Sequence, residues 1–490
     1  MTEPAPEQSP PSPGRLTRLS SLARLGNGGA GRHVAQLGGG TAVVMAIQLG
    51  AQVLLGHWYS DAEFATFRNL VAFATIVAMV ATLRLEMTIP LAEEESGADD
   101  ITRLVVVLAT GASLICLPVA VVLAVGGWAV PEEYRLSVLI APFVVWASAC
   151  FTALRAYQSR KGQFRQMSDA NIAGTVFTAG TQVGFGGVGF TSTGLGLGYG
   201  LGRLAAVFMM IRRSTLALKG RVDFGLIRTW KQFPTWMLLP AVLNAITVGA
   251  VSPLVTMLYG PKFAGQFGFA QMLLAVPVAM LGQAVASVFY VRFAAMQRDS
   301  QDTSQAMIRL ATVLMGIALM IFVPITLLGR EAFNLIWADG KWETAGFICG
   351  IMAPYLMVNF VSSPLSGYAA VKNEVRRQFL LSWIEAGLRI PALALGLWWG
   401  GPYMGILAYS VAGLLICLYW VLWVTTLSGA GLARGWGAVA IPLVVALMSS
   451  IWSFEGRVLV DQMAYVGVSL AVSVVAAGIG GLSVLKALRA

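Results

Sequence analysis

The 490 residues carry 57% hydrophobic and only 11% charged side chains, against roughly 25% charged in a soluble domain. That excess of apolar material argues against a soluble enzyme or binding domain and makes lipid the expected solvent, where helices satisfy their own backbone groups. The net charge of +10 comes from basic residues in short gaps between apolar runs. Such a distribution argues for membrane topology and against a nucleic-acid face.

In chain order, residues 1–33 form a polar, cytoplasmic N-terminus. It opens Pro- and Ser-rich, as disordered segments do. It then turns leucine-periodic at Leu16, Leu19, Leu22 and Leu25, with Arg15, Arg18 and Arg24 between them. That pattern predicts a short amphipathic helix on an anionic leaflet, and not a signal peptide, since no apolar core with a cleavage site follows. About fourteen apolar runs of roughly 17–28 residues come next, each long enough to span about 30 Å of hydrocarbon. The first six are 34–56, 64–91, 104–125, 136–154, 172–189 and 194–211; the next six are 234–258, 267–291, 310–328, 345–370, 379–399 and 404–427. The last two are 436–452 and 463–485. The expected architecture is an all-α polytopic membrane protein: an N-lobe of six helices (34–211), a basic cytoplasmic linker (212–233), a C-lobe of six (234–427) and two appended helices (436–485).

Orientation follows from Lys and Arg. With the N-terminus inside, only Arg135, Lys262, Arg330, Lys341 and Arg457 lie outside, and Arg68, Arg84, Arg203 and Arg389 fall within helices. The other basic residues are cytoplasmic, so both termini are expected there. A weak repeat relates the lobes. Ala141-Pro142-Phe143 ahead of Tyr157, Lys161 and Arg165 resembles Ala353-Pro354-Tyr355 ahead of Tyr368, Lys372 and Arg376; Tyr59, Phe64 and Phe67 parallel Tyr259, Phe263 and Phe267. With six helices per half, the copies share one orientation about an axis along the membrane normal, and transporters of that kind hold substrate between their halves.

Catalysis finds little support. There is no phosphate-loop motif. Two histidines, His33 and His57, cannot build a histidine metal centre, and Cys116, Cys150, Cys349 and Cys417 stand in apolar runs at no metal-ligand spacing. No cofactor or metal is expected. Gly194, Gly198 and Gly202 share one helical face, which predicts close helix packing and not nucleotide binding.

Ions at membrane depth carry the chemistry, since an unpaired charge in lipid costs a few kcal/mol or more. Arg68 near the outer end of the second span is expected to snorkel to headgroups. Arg84 and Glu86 fall in its inner third, Arg203 in the middle of the sixth span, and Glu385 with Arg389 at i, i+4 on the eleventh. Gln48 and Gln52 lie one turn apart on the first span; Asn171, Gln182, Asn244, Gln271, Gln283 and Asn359 add scattered amides, which more often bond between helices than bind ligands. Four arginines against two glutamates suit an anion, and the guanidinium fork suits phosphate oxygens. The candidate substrate-binding residues are Arg84, Arg203, Arg389, Asn244, Gln48 and Gln52. Glu86 and Glu385 are the candidates for ion coupling.

Leu83-Arg84-Leu85-Glu86 followed by Glu93, Glu94 and Glu95 resembles the bacterial O-antigen-type polysaccharide flippases. So do Arg160-Lys161-Gly162-Gln163-Phe164-Arg165, Phe233-Pro234, Tyr259-Gly260 with Ala264-Gly265, Pro277, and the stretch from Trp342 to Gly346. The likeness runs from about Val34 to Leu427, carried by the order and spacing of short motifs. These flippases belong to the multidrug/oligosaccharidyl-lipid/polysaccharide exporter superfamily. The resemblance implies two six-helix lobes about a central cavity, alternating access, and no enzymatic activity. It implies an undecaprenyl-pyrophosphate-linked oligosaccharide carried to the outer leaflet of the bacterial cytoplasmic membrane, with Arg84 at a motif position. Its implied partners are that lipid-linked oligosaccharide, membrane lipids, and a polysaccharide polymerase and glycosyltransferases. A cation-coupled multidrug exporter is the main rival, although such proteins place an acidic residue on the first helix and none occurs between Val34 and Gly56. The lipid II flippases match less well in their cavity charges. A glycan polymerase or ligase would usually carry a sizeable external loop.

Overall fold

The computed structural model describes residues 29–92, 95–126, 132, 135–214, 220, 222–236, 238–249, 251–298, 301–337, 340–372, 374–459 and 461–489. The amphipathic segment predicted around Leu16–Leu25 lies outside them. Among the described residues there are long helices and no strand, as lipid requires of a chain that must satisfy every backbone group locally. The N-terminal half contributes α1 (Gly29–Trp58), α2 (Asp61–Ala81), α3 (Glu95–Val125), α4 (Arg135–Arg160), α5 (Phe164–Gly187) and α6 (Ser192–Arg212). The C-terminal half contributes α7 (Leu238–Gly249), α8 (Val251–Arg298), α9 (Ser304–Ile336), α10 (Glu343–Val371) and α11 (Val375–Leu427), followed by α12 (Leu432–Leu459) and α13 (Gln462–Arg489).

Ten helices among the described residues are long and apolar enough to cross a membrane. That is fewer than fourteen for identifiable reasons. Two of the ten each run through a kink that joins two predicted spans, at Gly260 in α8 and Gly401 in α11. In both the glycine takes a positive φ and a proline follows it, a pairing that breaks helical hydrogen bonding. The glycine-rich α1 and α5 fall outside the ten.

Within the first half α1 packs on α5, α5 on α6, and α4 on α2, α3 and α6, while α2 packs most heavily on α8 of the other half. In the second half α8, α9 and α11 all pack on α10, and α12 and α13 lie against α9. Corresponding segments of the two halves are alike in side-chain detail. Lys161 Nζ stands 5.7 Å over the buried Tyr157 ring, and Lys372 Nζ stands 5.8 Å over Tyr368. Gly189 and Gly401, 212 residues apart, turn their hairpins with φ of 85° and 83°.

The halves meet along a seam at one end. Trp337 and Trp342 donate to the Val53 and Gly56 carbonyls at 3.2 and 2.8 Å, and Lys341 Nζ reaches the Tyr59 carbonyl at 2.7 Å. Trp342 is fully buried, stacked 4.0 Å from Phe269 and edge-on to Phe64. Further along, Asn69 Nδ2 donates to Thr256 Oγ1 and accepts at Oδ1 from Ser252 Oγ. A capping box on Ser60 and Glu63 starts α2 at the seam and fixes its direction.

The second span departs from expectation. The apolar run predicts a span to residue 91, but α2 stops at Ala81 and the chain turns through Leu83 (φ 52°) and Arg84 (φ 58°) into two 3₁₀ turns, Leu85–Met87 and Ile89–Leu91. Left-handed conformations cost non-glycine residues roughly 1–2 kcal/mol each. Leu85 and Ile89 offset that by burying themselves against Ala98, Ile101 and Tyr157, and Arg160 Nη1 donates to the Pro90 carbonyl from α4. Val222, Leu226, Ile227 and Trp230 of the segment between the halves pack on the same cluster. Arg84 and Glu86 therefore sit beyond a helix end and not within a helix.

Candidate functional site

The turn after α2 holds Arg84 and Glu86 as a pair, Nη1 to Oε1 at 3.3 Å. Glu86 is 4% exposed and its Oε2 has no hydrogen-bond partner, while the Arg84 side chain keeps about a quarter of its surface open. Residues two apart in sequence thus differ sharply: the acid is enclosed and the base is partly open.

Arg203 lies on α6 directly after the glycine face. That face packs as its spacing predicts: a Cβ on Gly198 would meet the Gln182 side chain, and one on Gly202 would overlap Thr178 Oγ1 and the Gly174 carbonyl. The close approach sets α6 against α5 and positions Arg203 towards α4. There its guanidinium stands 4.3 Å over Phe151 and 5.1 Å over Tyr199, and Nη2 donates to the Tyr199 hydroxyl at 3.0 Å. Among the described residues it has no carboxylate partner. Stacking on aromatic faces supports the cation without neutralising it.

Arg389 is differently placed. It is 2% exposed, with Nη1 on Glu385 Oε1 at 2.7 Å and Nη2 on the Tyr355 hydroxyl at 2.9 Å. The Tyr409 and Tyr355 rings cover it at 4.1 and 4.7 Å. Only its Nε lacks a partner. The i, i+4 pair expected from sequence therefore forms, and two tyrosines close over it.

The remaining candidates scatter. Gln48 is exposed and Gln52 buried on α1, with Gln52 Oε1 unpartnered. Asn244 lies on α7, but its side chain, like that of Gln283, is outside the described set. Gln182 donates to the Leu195 carbonyl at 2.8 Å, the interhelical role expected of such amides. Arg68 does not snorkel: its Nη2 donates to Gln271 Oε1 at 2.6 Å across the seam.

Sequence reasoning missed Arg155. The fourth apolar run ends at residue 154, which put Arg155 in a loop, whereas α4 continues to Arg160. The available signal was a polar stripe, Ser148, Thr152, Arg155 and Ser159, on one face of the helix. Thr152, Arg155 and Ser159 are all exposed.

The family described as polysaccharide biosynthesis protein matches residues 60–345, more than half of the chain. The protein belongs to this family. Within a polysaccharide biosynthesis protein of this kind, the matched segment contains the α2 turn, Arg155 and Arg203, whereas Glu385 and Arg389 lie beyond it. The chain is also similar to a solved lipid II flippase MurJ in an inward-closed conformation, at 12% identity and a TM-score of 0.70, covering 93% of this chain and 99% of that one. An outward-facing MATE-family multidrug resistance transporter of the MOP superfamily is similar at 16% identity and a TM-score of 0.57, covering 83% and 98%. A MOP superfamily transporter from Pyrococcus furiosus, whose binding pocket is described as reversed in polarity, follows at 14% and 0.57, covering 81% and 96%. These likenesses establish a shared fold. No curated protein matches by sequence.

Proposed function

We propose that the protein is a flippase that moves an undecaprenyl-pyrophosphate-linked oligosaccharide from the cytoplasmic to the outer leaflet of the bacterial cytoplasmic membrane, for cell-surface polysaccharide synthesis. The observation that carries this reading is the family match over residues 60–345, which encloses the α2 turn and the arginines of the first bundle. The likeness in fold to a lipid II flippase supports it, since lipid II is itself a lipid-linked glycan precursor.

In this reading both termini are cytoplasmic and the seam of Trp337, Trp342 and Lys341 closes the outer side. Arg84, at the cytoplasmic mouth, attracts the pyrophosphate and Arg203 receives it deeper. Gln48, Gln52 and Asn244 are proposed to meet the sugar while the prenyl chain stays in lipid. A substrate contact for Arg389, enclosed by Tyr355 and Tyr409, would first require Glu385 to release its Nη1. Opening the seam would release the glycan outside to a polymerase. The likeness to MATE transporters supports a second reading, a cation-coupled multidrug exporter with Glu86 or Glu385 as the coupling acid.

Reconstitution separates the two. Purified full-length protein in liposomes holding lipid-linked oligosaccharide is expected to expose the inner-leaflet pool to an added glycosidase within minutes. A pool that stays protected, alongside proton- or sodium-driven efflux of a cationic dye, would replace the flippase with the exporter.

A further inference from the structure

The two limbs of α11, before and after the Gly401 kink, fold against one another as a hairpin. Arg389 meets Tyr409 partway along it, and Arg377 meets Tyr419 near its open ends. Those ends lie on the side that the Lys and Arg bias assigns to the cytoplasm. There Arg377 Nη2 donates to the Tyr419 hydroxyl at 2.9 Å, and the guanidinium stands 4.9 Å over the buried Trp423 ring. Arg377 and Tyr419 are exposed, as is Arg376 beside them. Among the described residues no carboxylate pairs with Arg377: Glu374, one turn earlier, makes no ion pair with it, and Glu385 is held by Arg389. The matching hairpin of the first half, α5 and α6, turns at Gly189 and closes its open ends with an ion pair of its own, Asp169 to Arg213 at 3.0 Å. The second half has a cation in that region and no acid to answer it.

Two apolar stripes lead away from this cation. Leu380, Ile384 and Leu388 follow Arg377 on one face of the first limb, and Leu415 and Val411 follow Tyr419 at i, i−4 on the second; all five are exposed. By helical rise the first stripe extends about 16 Å from Arg377, roughly one leaflet of hydrocarbon. We infer that Arg377, with Arg376, Tyr419 and Trp423, seats the anionic headgroup of a phospholipid of the cytoplasmic leaflet, whose acyl chains run along the two stripes. A guanidinium fork matches the oxygens of a phosphodiester, and a cation supported by a ring and a hydroxyl is oriented without being neutralised. Basic sites on the cytoplasmic side of spanning helices hold such headgroups, and a free anion would have no use for the stripes. The lipid supplies to the second hairpin the negative charge that Asp169 supplies to the first. The family match ends at residue 345, ahead of every residue in this seat, and the seat does not depend on the flippase reading.

The test titrates purified full-length protein in detergent with phosphatidylglycerol or with phosphatidylcholine of the same acyl chains. Bound lipid is counted by native mass spectrometry and the melting point is followed in parallel. Phosphatidylglycerol is expected to bind in preference and to raise the melting point of the wild type. Arg377→Gln should weaken that binding about fivefold, the worth of one basic residue at an anionic surface, and lose most of the rise in melting point. Tyr419→Phe keeps the charge and the ring but not the hydroxyl, and should weaken binding less. Arg165→Gln removes an equal charge from an exposed position at the start of α5 and should leave binding within about twofold. Because Arg377 is exposed, its Gln variant should melt with the wild type before lipid is added. Equal binding of the two lipids by the wild type, or wild-type-like binding by Arg377→Gln, overturns the seat and leaves the flippase reading standing. Displacement of the lipid by inorganic phosphate, or a preference for undecaprenyl phosphate over phosphatidylglycerol, would overturn the assignment to a membrane phospholipid.

Discussion

The two bundles treat an arginine within a helix in opposite ways. In the second, Arg389 is locked by Glu385, Tyr355 and Tyr409, its charge answered from within the protein. In the first, Arg203 is supported only by aromatic faces and a hydroxyl, and Arg155 nearby adds a second cation instead of an acid. Enclosed and paired, an arginine holds helices together; supported but unneutralised, it is available to a visitor. The repeat that relates the bundles has preserved the Tyr157–Lys161 and Tyr368–Lys372 corners while the charged positions diverged. Stability and substrate handling are therefore expected to separate between the halves.

Substitutions can sharpen that contrast. The largest effect on stability is expected from Arg389→Ala, which leaves Glu385 without its partner and should cost about 3 kcal/mol, the lower end for a buried pair because Glu385 is a quarter exposed. Thermal unfolding in detergent would register this, and Arg389→Lys should recover only part, because a point charge does not replace the fork. An unchanged melting point would show that the pair is not a structural lock. Next comes Gly202→Val, whose side chain would overlap Thr178 and the Gly174 carbonyl. Overpacking of this kind costs about 1–3 kcal/mol. It should also displace the neighbouring Arg203, so transport would fall more steeply than stability. The smallest effect on folding is expected from Arg84→Lys, which keeps a cation beside the enclosed Glu86: the variant should insert and melt within about 1 kcal/mol of wild type, yet lose most transport because a point charge does not replace the guanidinium fork. Full translocation by that variant would remove Arg84 from the path.

Much of this was readable beforehand, and the exceptions have physical causes. Apolar runs mark the spans because lipid admits little else, and the Gly260-Pro261 and Gly401-Pro402 steps are turn signals in their own right. The Glu385–Arg389 pair follows from helical spacing alone. The break after Ala81 does not, since neither glycine nor proline stands at residues 82–84 and the apolar run continues through Leu85 and Ile89. Tertiary burial against Ala98 and Tyr157 makes that turn. Arg155 was lost because an apolar window closes where charge begins, although the helix does not. How Arg203 and Arg389 differ is likewise invisible in one dimension: each is an arginine in an apolar run, and only the packing of α4 or α10 reveals which one is neutralised.

The most direct test of the account is the sidedness of lipid-linked oligosaccharide in cells depleted of this protein. A flippase predicts accumulation on the cytoplasmic leaflet with drug sensitivity unchanged. Normal translocation accompanied by increased drug sensitivity would contradict it.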